Sequence, residues 1–153
     1  MLRRIAVIIA TCCGAGYAPL APGTAGAAAG LLPVLLLARW PWIYGIVAAF
    51  LFFAGVWAST LAEEAFGEHD SPRIVIDEAA SAMVTFAGLA LTPMTLLLGF
   101  ILNRLLDIVK PYPAGRLQRA AGGWGIMLDD LITGIYSNLL VRIIFHLLAR
   151  SAA

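Results

Sequence analysis

Apolar residues run through this chain in blocks, not in the spaced stripes of a surface helix or strand. No charged residue occurs from Ile5 to Ala38, from Trp40 to Ala62 or from Ala79 to Asn103. Blocks of that length exceed what a soluble core uses and match helices that cross or enter a bilayer. The pattern predicts five apolar helices, Ala25 to Ala38, Trp42 to Ala62, Ala79 to Leu91, Met94 to Ile108 and Leu131 to Leu148, with a shorter one at Leu2 to Thr11. The breaks are of two kinds. Arg39-Trp40-Pro41 and Thr92-Pro93 are short and nearly uncharged, and proline ends a helix there because it has no N–H and clashes with the preceding turn. Tyr17 to Thr24, Glu63 to Glu78 and Lys110 to Asp130 are longer and polar.

If successive segments pass from side to side, every polar break falls on one face. Arg3, Arg4, Arg73, Arg104, Lys110, Arg116 and Arg119 lie on that face, while Arg39 and Arg150 lie at the other ends. The excess of positive charge makes it the cytoplasmic face. Helices of about 13 to 15 residues reach only roughly 20 Å, short of a hydrocarbon layer of about 30 Å, so some are expected to be re-entrant or buried behind longer neighbours.

Composition agrees with that reading: 61% of the 153 residues are apolar and 12% charged, against about a quarter charged in an ordinary soluble domain, and the mean hydropathy is +0.91. Residues 1–153 read as one domain without repeats or linkers. Ten Lys and Arg against nine Asp and Glu give a net charge of +1, which offers no basic patch for nucleic acid. Cys12 and Cys13 are adjacent and have no second pair, so neither a disulfide framework nor a zinc site is expected. Met1-Leu2-Arg3-Arg4 before an apolar run resembles the start of a signal peptide, but more membrane-type chain follows, and residues 1 to 13 are read as part of the fold.

Five of the nine acids, Asp77, Glu78, Asp107, Asp129 and Asp130, stand where a polar break meets an apolar segment. Carboxylates beside hydrocarbon are unfavourable unless paired or bound to a cation. Oxygen ligands from three helix ends at one face suit Mg²⁺, which keeps waters and substrate phosphate in its shell. Taken alone, Asp77 or Asp129 reads equally well as a helix N-cap. Asp107 ends its helix, where the macrodipole disfavours an anion, so Arg104, Lys110 or a metal is expected beside it. Pro111 and Pro113 stiffen the exit and hold Lys110 near Asp107. Pro22-Gly23-Thr24 opens a helix whose free N–H groups suit an anion, with Thr24 able to cap. Gly122-Gly123-Trp124-Gly125 reads as an interfacial loop or a phosphate cradle.

Absent motifs narrow the chemistry. Neither cysteine has an Arg six positions later, there is no Asp-x-Asp-x-Thr, and no Pro-Ser-Gly-His occurs. Attack by a metal-activated water remains. The expected arrangement has Asp107, Asp129 and one of Asp77 or Glu78 on Mg²⁺, another carboxylate as general base, and Lys110, Arg104 or Arg116 with the Gly23–Thr24 terminus around the phosphate. Rivals are another Mg²⁺-dependent lipid phosphatase or phosphotransferase, whose CDP-alcohol signature is missing, and a carboxylate-lined cation transporter, which needs acids at mid-membrane depth.

Ala21-Pro22-Gly23-Thr24, Ile76-Asp77-Glu78, Arg104-x-x-Asp107-x-x-Lys110-Pro111-x-Pro113 and Gly122-Gly123-x-Gly125-x-x-x-Asp129-Asp130-x-x-x-Gly134 together resemble the phosphatidylglycerophosphatase A family in order and spacing. The resemblance spans residues 19 to about 136. It implies an α-helical bundle around a central helix and an inner-membrane, Mg²⁺-dependent enzyme that converts phosphatidylglycerophosphate to phosphatidylglycerol. Carried over, its site is Asp77, Glu78, Asp107, Asp129 and Asp130, supported by Thr24 and Lys110. The chain departs from the usual pattern at Ser81, where glycine is commoner, at Tyr112, a frequent tryptophan, and at Thr133, a frequent alanine. The phospholipid is the one partner implied, and no oligomeric state follows.

Overall fold

A computed structural model describes residues 1–151. Among them the chain is entirely helical: α1 Leu2–Ala10, a 3₁₀ turn Ala15–Tyr17, α2 Pro22–Leu37, α3 Pro41–Phe66, α4 Ile76–Phe86, α5 Pro93–Val109, α6 Ala114–Leu117 and α7 Gly123–Ser151. The expected all-α bundle is present, with seven α-helices where five or six were anticipated. Proline begins α2, α3 and α5 at the first helical position, where its missing N–H has no partner to lose. Thr92 caps α5 by accepting the N–H of Thr95 at 3.1 Å. Gly67, at φ 66°, ends α3 in the left-handed conformation that a side chain resists.

Among the described residues, only α3 and α7 are long and apolar enough to cross a membrane. Their 26 and 29 residues correspond to about 39 and 43 Å of helix. Trp42, Ile46, Phe50 and Phe53 stand exposed along α3, an apolar surface that a soluble monomer rarely shows and hydrocarbon covers. α4 does not cross, contrary to the alternating path drawn from sequence. It ends at Phe86 instead of Leu91, and its 11 residues reach about 16 Å. Nine of those residues are buried, and α2, α3, α5 and α7 all pack on it, which makes it the central helix.

Small residues set how closely the neighbours approach α4. A Cβ on Gly26 would meet Val75 at 2.6 Å, and one on Gly30 would meet the Ala79 carbonyl oxygen at 2.5 Å. Below the polar end, Val34, Tyr44, Met83 and Phe86 form one apolar cluster, and the Tyr44 hydroxyl donates to the Met83 carbonyl at 2.5 Å. At its C-terminal end α4 exposes carbonyls that no further turn satisfies. α7 supplies the donors: Asn138 Nδ2 reaches the Thr85 and Ala87 carbonyls at 2.8 and 3.0 Å, and Arg142 Nη2 reaches Ala87 at 2.9 Å and Gly88 at 3.2 Å. Arg142 is therefore structural.

Gly45 on α3 has no atom within 4 Å of an added Cβ. Gly30→Ala is expected to destabilise the bundle by about 1–3 kcal/mol through overpacking, whereas Gly45→Ala changes it by less than about 1 kcal/mol and in the stabilising direction. Thermal unfolding of the two variants in one detergent measures the difference.

Candidate active site

The polar ends of α2, α4, α5 and α7 converge, and each delivers its side chains differently. Asp77 and Glu78 lie in the first turn of α4, whose N-cap position is Val75 with no side-chain cap. Asp77 is therefore not an N-cap, although the positive end of the helix dipole still favours both anions. Asp107 sits in the last turn of α5, as expected. Asp129 and Asp130 do not mark a helix start. α7 begins at Gly123, and the pair lies almost two turns inside it, buried at 1% and 2% exposure.

That extension of α7 overturns the reading of Gly122 to Gly125 as a loop or cradle. Gly122 enters in the left-handed region at φ 58°. The Gly123 N–H then donates to Thr60 Oγ1 at 2.9 Å on α3, and a Cβ on Gly125 would fall on the carbonyls of Ala120 and Gln118. Glycine starts this helix because α3 and the 118–120 segment leave no room for a side chain. Thr24 is likewise not a cap. α2 is capped by Ala21 without a side-chain bond, and Thr24, inside the first turn, is exposed.

Two cations stand among the five acids. Arg104 Nη2 lies 3.1 Å from Asp107 Oδ2, and its Nη1 is 4.0 Å from Glu78 Oε1. Lys110 Nζ bonds to Asp129 Oδ2 and lies 3.8 Å from Asp107 Oδ1. Asp107 is thus held on both oxygens by cations, the compensation its place at a helix C-terminus demands. Lys110 itself caps α5 in the left-handed region, at φ 45°. Burial pulls its pKa down, but the hydrogen bond to Asp129 and the charges of Asp129, Asp107 and Asp130 outweigh that and raise it. It remains an ammonium throughout the neutral range.

Gly23 opens onto this cluster: a Cβ there would run into Glu78 Oε1 and stand 2.7 Å from Arg104 Nη2. Of the residues assigned to phosphate, the structure therefore gathers Gly23, Arg104 and Lys110. Arg116 is not brought to the acids; it is exposed, with its guanidinium over the Tyr112 ring at 5.0 Å.

The acids exceed the cations, and their oxygens are not all satisfied. Asp77 Oδ1, Glu78 Oε2, Asp129 Oδ1 and Asp130 Oδ2 are buried without a hydrogen-bond partner, as is Arg104 Nη1. Electrostatic influence links Asp130 to Asp107, Glu78 and Asp129, and Asp77 to Glu78 and Asp130. Among the described residues, no three Asp, Glu, His or Cys side chains already have the spacing to hold one metal ion. Arg104 pairs instead with Glu78 and Asp107, and Lys110 with Asp107 and Asp129. The donor set nevertheless fits a hard divalent cation, because it is all oxygen and four of its oxygens lack partners.

Sequence reasoning left several contributors out. Asp70 acts electrostatically on Asp77 and Asp129 and accepts from Gln118 Nε2 at 2.7 Å. Asn103 Nδ2 donates to Ser81 Oγ at 2.7 Å, and Ser81 Oγ donates to the Asp130 carbonyl at 2.8 Å. Thr133 Oγ1 donates to the same carbonyl at 2.9 Å. The departures at Ser81 and Thr133 thus belong to one buried cluster that ties α4, α5 and α7 together behind Asp130. An amide in the middle of an apolar segment, Asn103, was the available signal.

Fold and site together define a helical membrane protein with an acid-rich, two-cation centre at one end of its bundle. The chain matches the family described as Phosphatidylglycerophosphatase A over residues 8–145. It is 32% identical to Phosphatidylglycerophosphatase A of Escherichia coli over 136 residues, covering 87% of this chain and 79% of that protein. It is 34% identical to Phosphatidylglycerophosphatase A of Haemophilus influenzae over 132 residues, covering 84% and 81%. A Bacteroides thetaiotaomicron protein provisionally named a phosphatidylinositol-3-phosphatase is 33% identical over 146 residues, 90% of this chain and 91% of that one. No solved structure gives a significant match. The chain belongs to the phosphatidylglycerophosphatase A family and is a phosphoric monoester hydrolase.

Lys110 is the partner on which buried Asp129 depends. Lys110→Met is expected to lower stability by about 3–5 kcal/mol by leaving that charge unpaired, and the double variant with Asp129→Asn should recover most of the loss. Unfolding of the single and double variants in detergent reads the coupling.

Proposed function

We propose that this protein is a Mg²⁺-dependent phosphatase of the bacterial inner membrane that hydrolyses the phosphomonoester of phosphatidylglycerophosphate, with its site facing the cytoplasm. The observation that carries the metal is the surplus of buried acid. Five carboxylates around two cations repel a phosphate dianion, and only further positive charge reverses that sign. The four unpartnered oxygens on Asp77, Glu78, Asp129 and Asp130 would hold the ion. The cytoplasmic orientation rests on the excess of positive residues, Arg3, Arg4, Arg73, Arg104, Lys110, Arg116 and Arg119, in the polar breaks and helix ends of the sequence.

A bound Mg²⁺ would supply Lewis acidity to the phosphate and make the attacking water more acidic. The chain's own residues do the rest. Arg104 and Lys110, which now neutralise Asp107 and Asp129, would turn to the phosphate oxygens and release those carboxylates to the cation side. The N-terminus of α2 at Gly23 carries no side chain to obstruct the phosphate and adds N–H dipoles of the right sign. A cluster carboxylate takes the proton as the water oxygen bonds to phosphorus and the bond from phosphorus to the glycerol oxygen breaks, and the departing glycerol oxygen takes up a proton from the carboxylic acid so formed or from solvent. The Asn103–Ser81–Thr133 cluster would hold the α7 backbone at Asp130 so that the carboxylates keep their spacing.

This arrangement favours hydrolysis over ion transport. The acids gather at one end, and the Val34, Tyr44, Met83 and Phe86 cluster fills the bundle beside α4 beyond them. A second reading, phosphomonoester hydrolysis on a different phospholipid headgroup, is favoured by the name of the Bacteroides relative.

Purified protein in detergent should release phosphate from phosphatidylglycerophosphate only when Mg²⁺ is present, and Asp107→Asn should lose at least about 100-fold in kcat/KM while unfolding at a similar temperature. Phosphatidylinositol 3-phosphate run in parallel decides the headgroup. Release that survives chelation rejects the metal; release from the inositol lipid alone rejects the substrate.

A further inference from the structure

α2 and α3 are both packed on α4 but make little contact with each other. Between them lies an apolar groove of about 450 Å³, floored by Ile76 and Ala79 of α4 and walled by Ala29 and Pro33 of α2 and Phe50 and Ala54 of α3. Cys12 and Cys13, which follow α1, also line it. Phe50 is 71% exposed and Leu32, also on the wall, 64%, so the groove opens sideways between helices toward the surrounding hydrocarbon.

We propose that this groove holds an acyl chain of the phospholipid substrate while its phosphate lies among the carboxylates. The inference rests on the phosphatase reading and adds to it where the tail goes. Three features tie groove and site into one surface. Ile76 and Ala79 of its floor flank Asp77 and Glu78 in sequence on the same helix turn. Cys12 Sγ donates to the Val75 carbonyl at 3.5 Å and lies within the electrostatic reach of Glu78. Gly23, beside Glu78 and Arg104, and Ala29, on the wall, belong to one helix, and six residues of α-helix separate them by about 9 Å along its axis. That is the scale of the step from a lipid phosphate across glycerol to the first methylenes.

The groove is apolar, and the site end offers cations and helix N–H groups. A ligand spanning both needs an anionic head and a hydrocarbon tail. A headgroup alone gains nothing from Ala29 or Ala54. A lipid whose head does not enter the site has no reason to prefer this groove to the rest of the bundle's apolar surface.

The test compares kcat/KM for phosphatidylglycerophosphate with long chains and with six-carbon chains, in wild type, Ala29→Trp and Ala54→Leu. Filling the groove should lower the long-over-short preference by about ten-fold, the equivalent of one or two buried methylenes. Equal losses on both substrates, or none on either, overturn the groove. A wild type that releases phosphate from neither substrate instead overturns the phosphatase reading, and the acyl assignment with it. Cys12 and Cys13 are the protein's only cysteines, and they report on the wild type in case a variant fails to fold. Alkylation of the exposed Cys13, followed by intact mass, should slow several-fold with long-chain phosphatidylglycerophosphate and not with the same mole fraction of phosphatidylcholine. Equal protection by both lipids would mean bulk lipid fills the groove, and that, or no protection by either, overturns the proposal.

Discussion

Gathering carboxylates at one end of a dry helical bundle is the constraint to which the rest of this structure answers. An unpaired carboxylate removed from water shifts toward its neutral form or draws in a compensating charge. The three acidic positions receive that compensation in three ways. Asp77 and Glu78 stand in the first turn of α4, where the helix dipole favours negative charge. Asp107 stands at the wrong end of α5 for the dipole and is held by Arg104 and Lys110. Asp129 and Asp130, inside α7, gain nothing from a helix end; Lys110 neutralises the first, and the second keeps an unpartnered oxygen. The remaining imbalance is what a divalent cation and a phosphate, arriving with opposite charges, would resolve.

The shape of the bundle follows from where those acids must be. A helix that crossed the whole layer would bring its first turn to the site without further help. α4 is only 11 residues long, and its far end stops inside the bundle, where bare carbonyls are costly in the absence of water. α7 meets that need from the side, with Asn138 and Arg142 donating to the carbonyls of Val84, Thr85, Ala87 and Gly88. One long helix therefore supplies Asp129 and Asp130 at one end of α4 and caps the other. That fixes the depth at which α4 sits, and with it the height of Asp77 and Glu78 relative to Asp129.

Much of this was legible in the residues, for identifiable reasons. The apolar blocks located every long helix, because hydrophobic length is a strong signal and prolines at 22, 41 and 93 punctuate it. The five acids stood out because charge is rare here. What failed was local. Gly122, Gly123 and Gly125 read as a loop by propensity, yet α7 starts at Gly123, since the Val56 carbonyl of α3 and the carbonyls of Gln118 and Ala120 leave no room for a Cβ at Gly123 and Gly125. Thr24 carries a capping side chain but lies inside the first turn of α2. Arg116 lies near the site in sequence and points instead over Tyr112. Propensity is local, whereas at Gly123 the outcome was decided by Val56 and Thr60, more than 60 residues away in sequence.

Ser81 and Thr133 show how two individually unexplained residues become intelligible as a pair. Each places a hydroxyl inside an apolar bundle, where it needs a polar partner. Together they share the carbonyl of Asp130, and Asn103 donates to Ser81 from the third helix. A glycine at 81 would leave the Asn103 amide facing a void. An alanine at 133 would leave the Asp130 carbonyl with one side-chain donor instead of two. In a low-dielectric interior a fully partnered polar cluster rigidifies, whereas a half-partnered one destabilises. The pair therefore acts as a unit, joining α4, α5 and α7 directly behind the carboxylates, at the level where a shift of one helix would move Asp77, Asp107 and Asp130 apart.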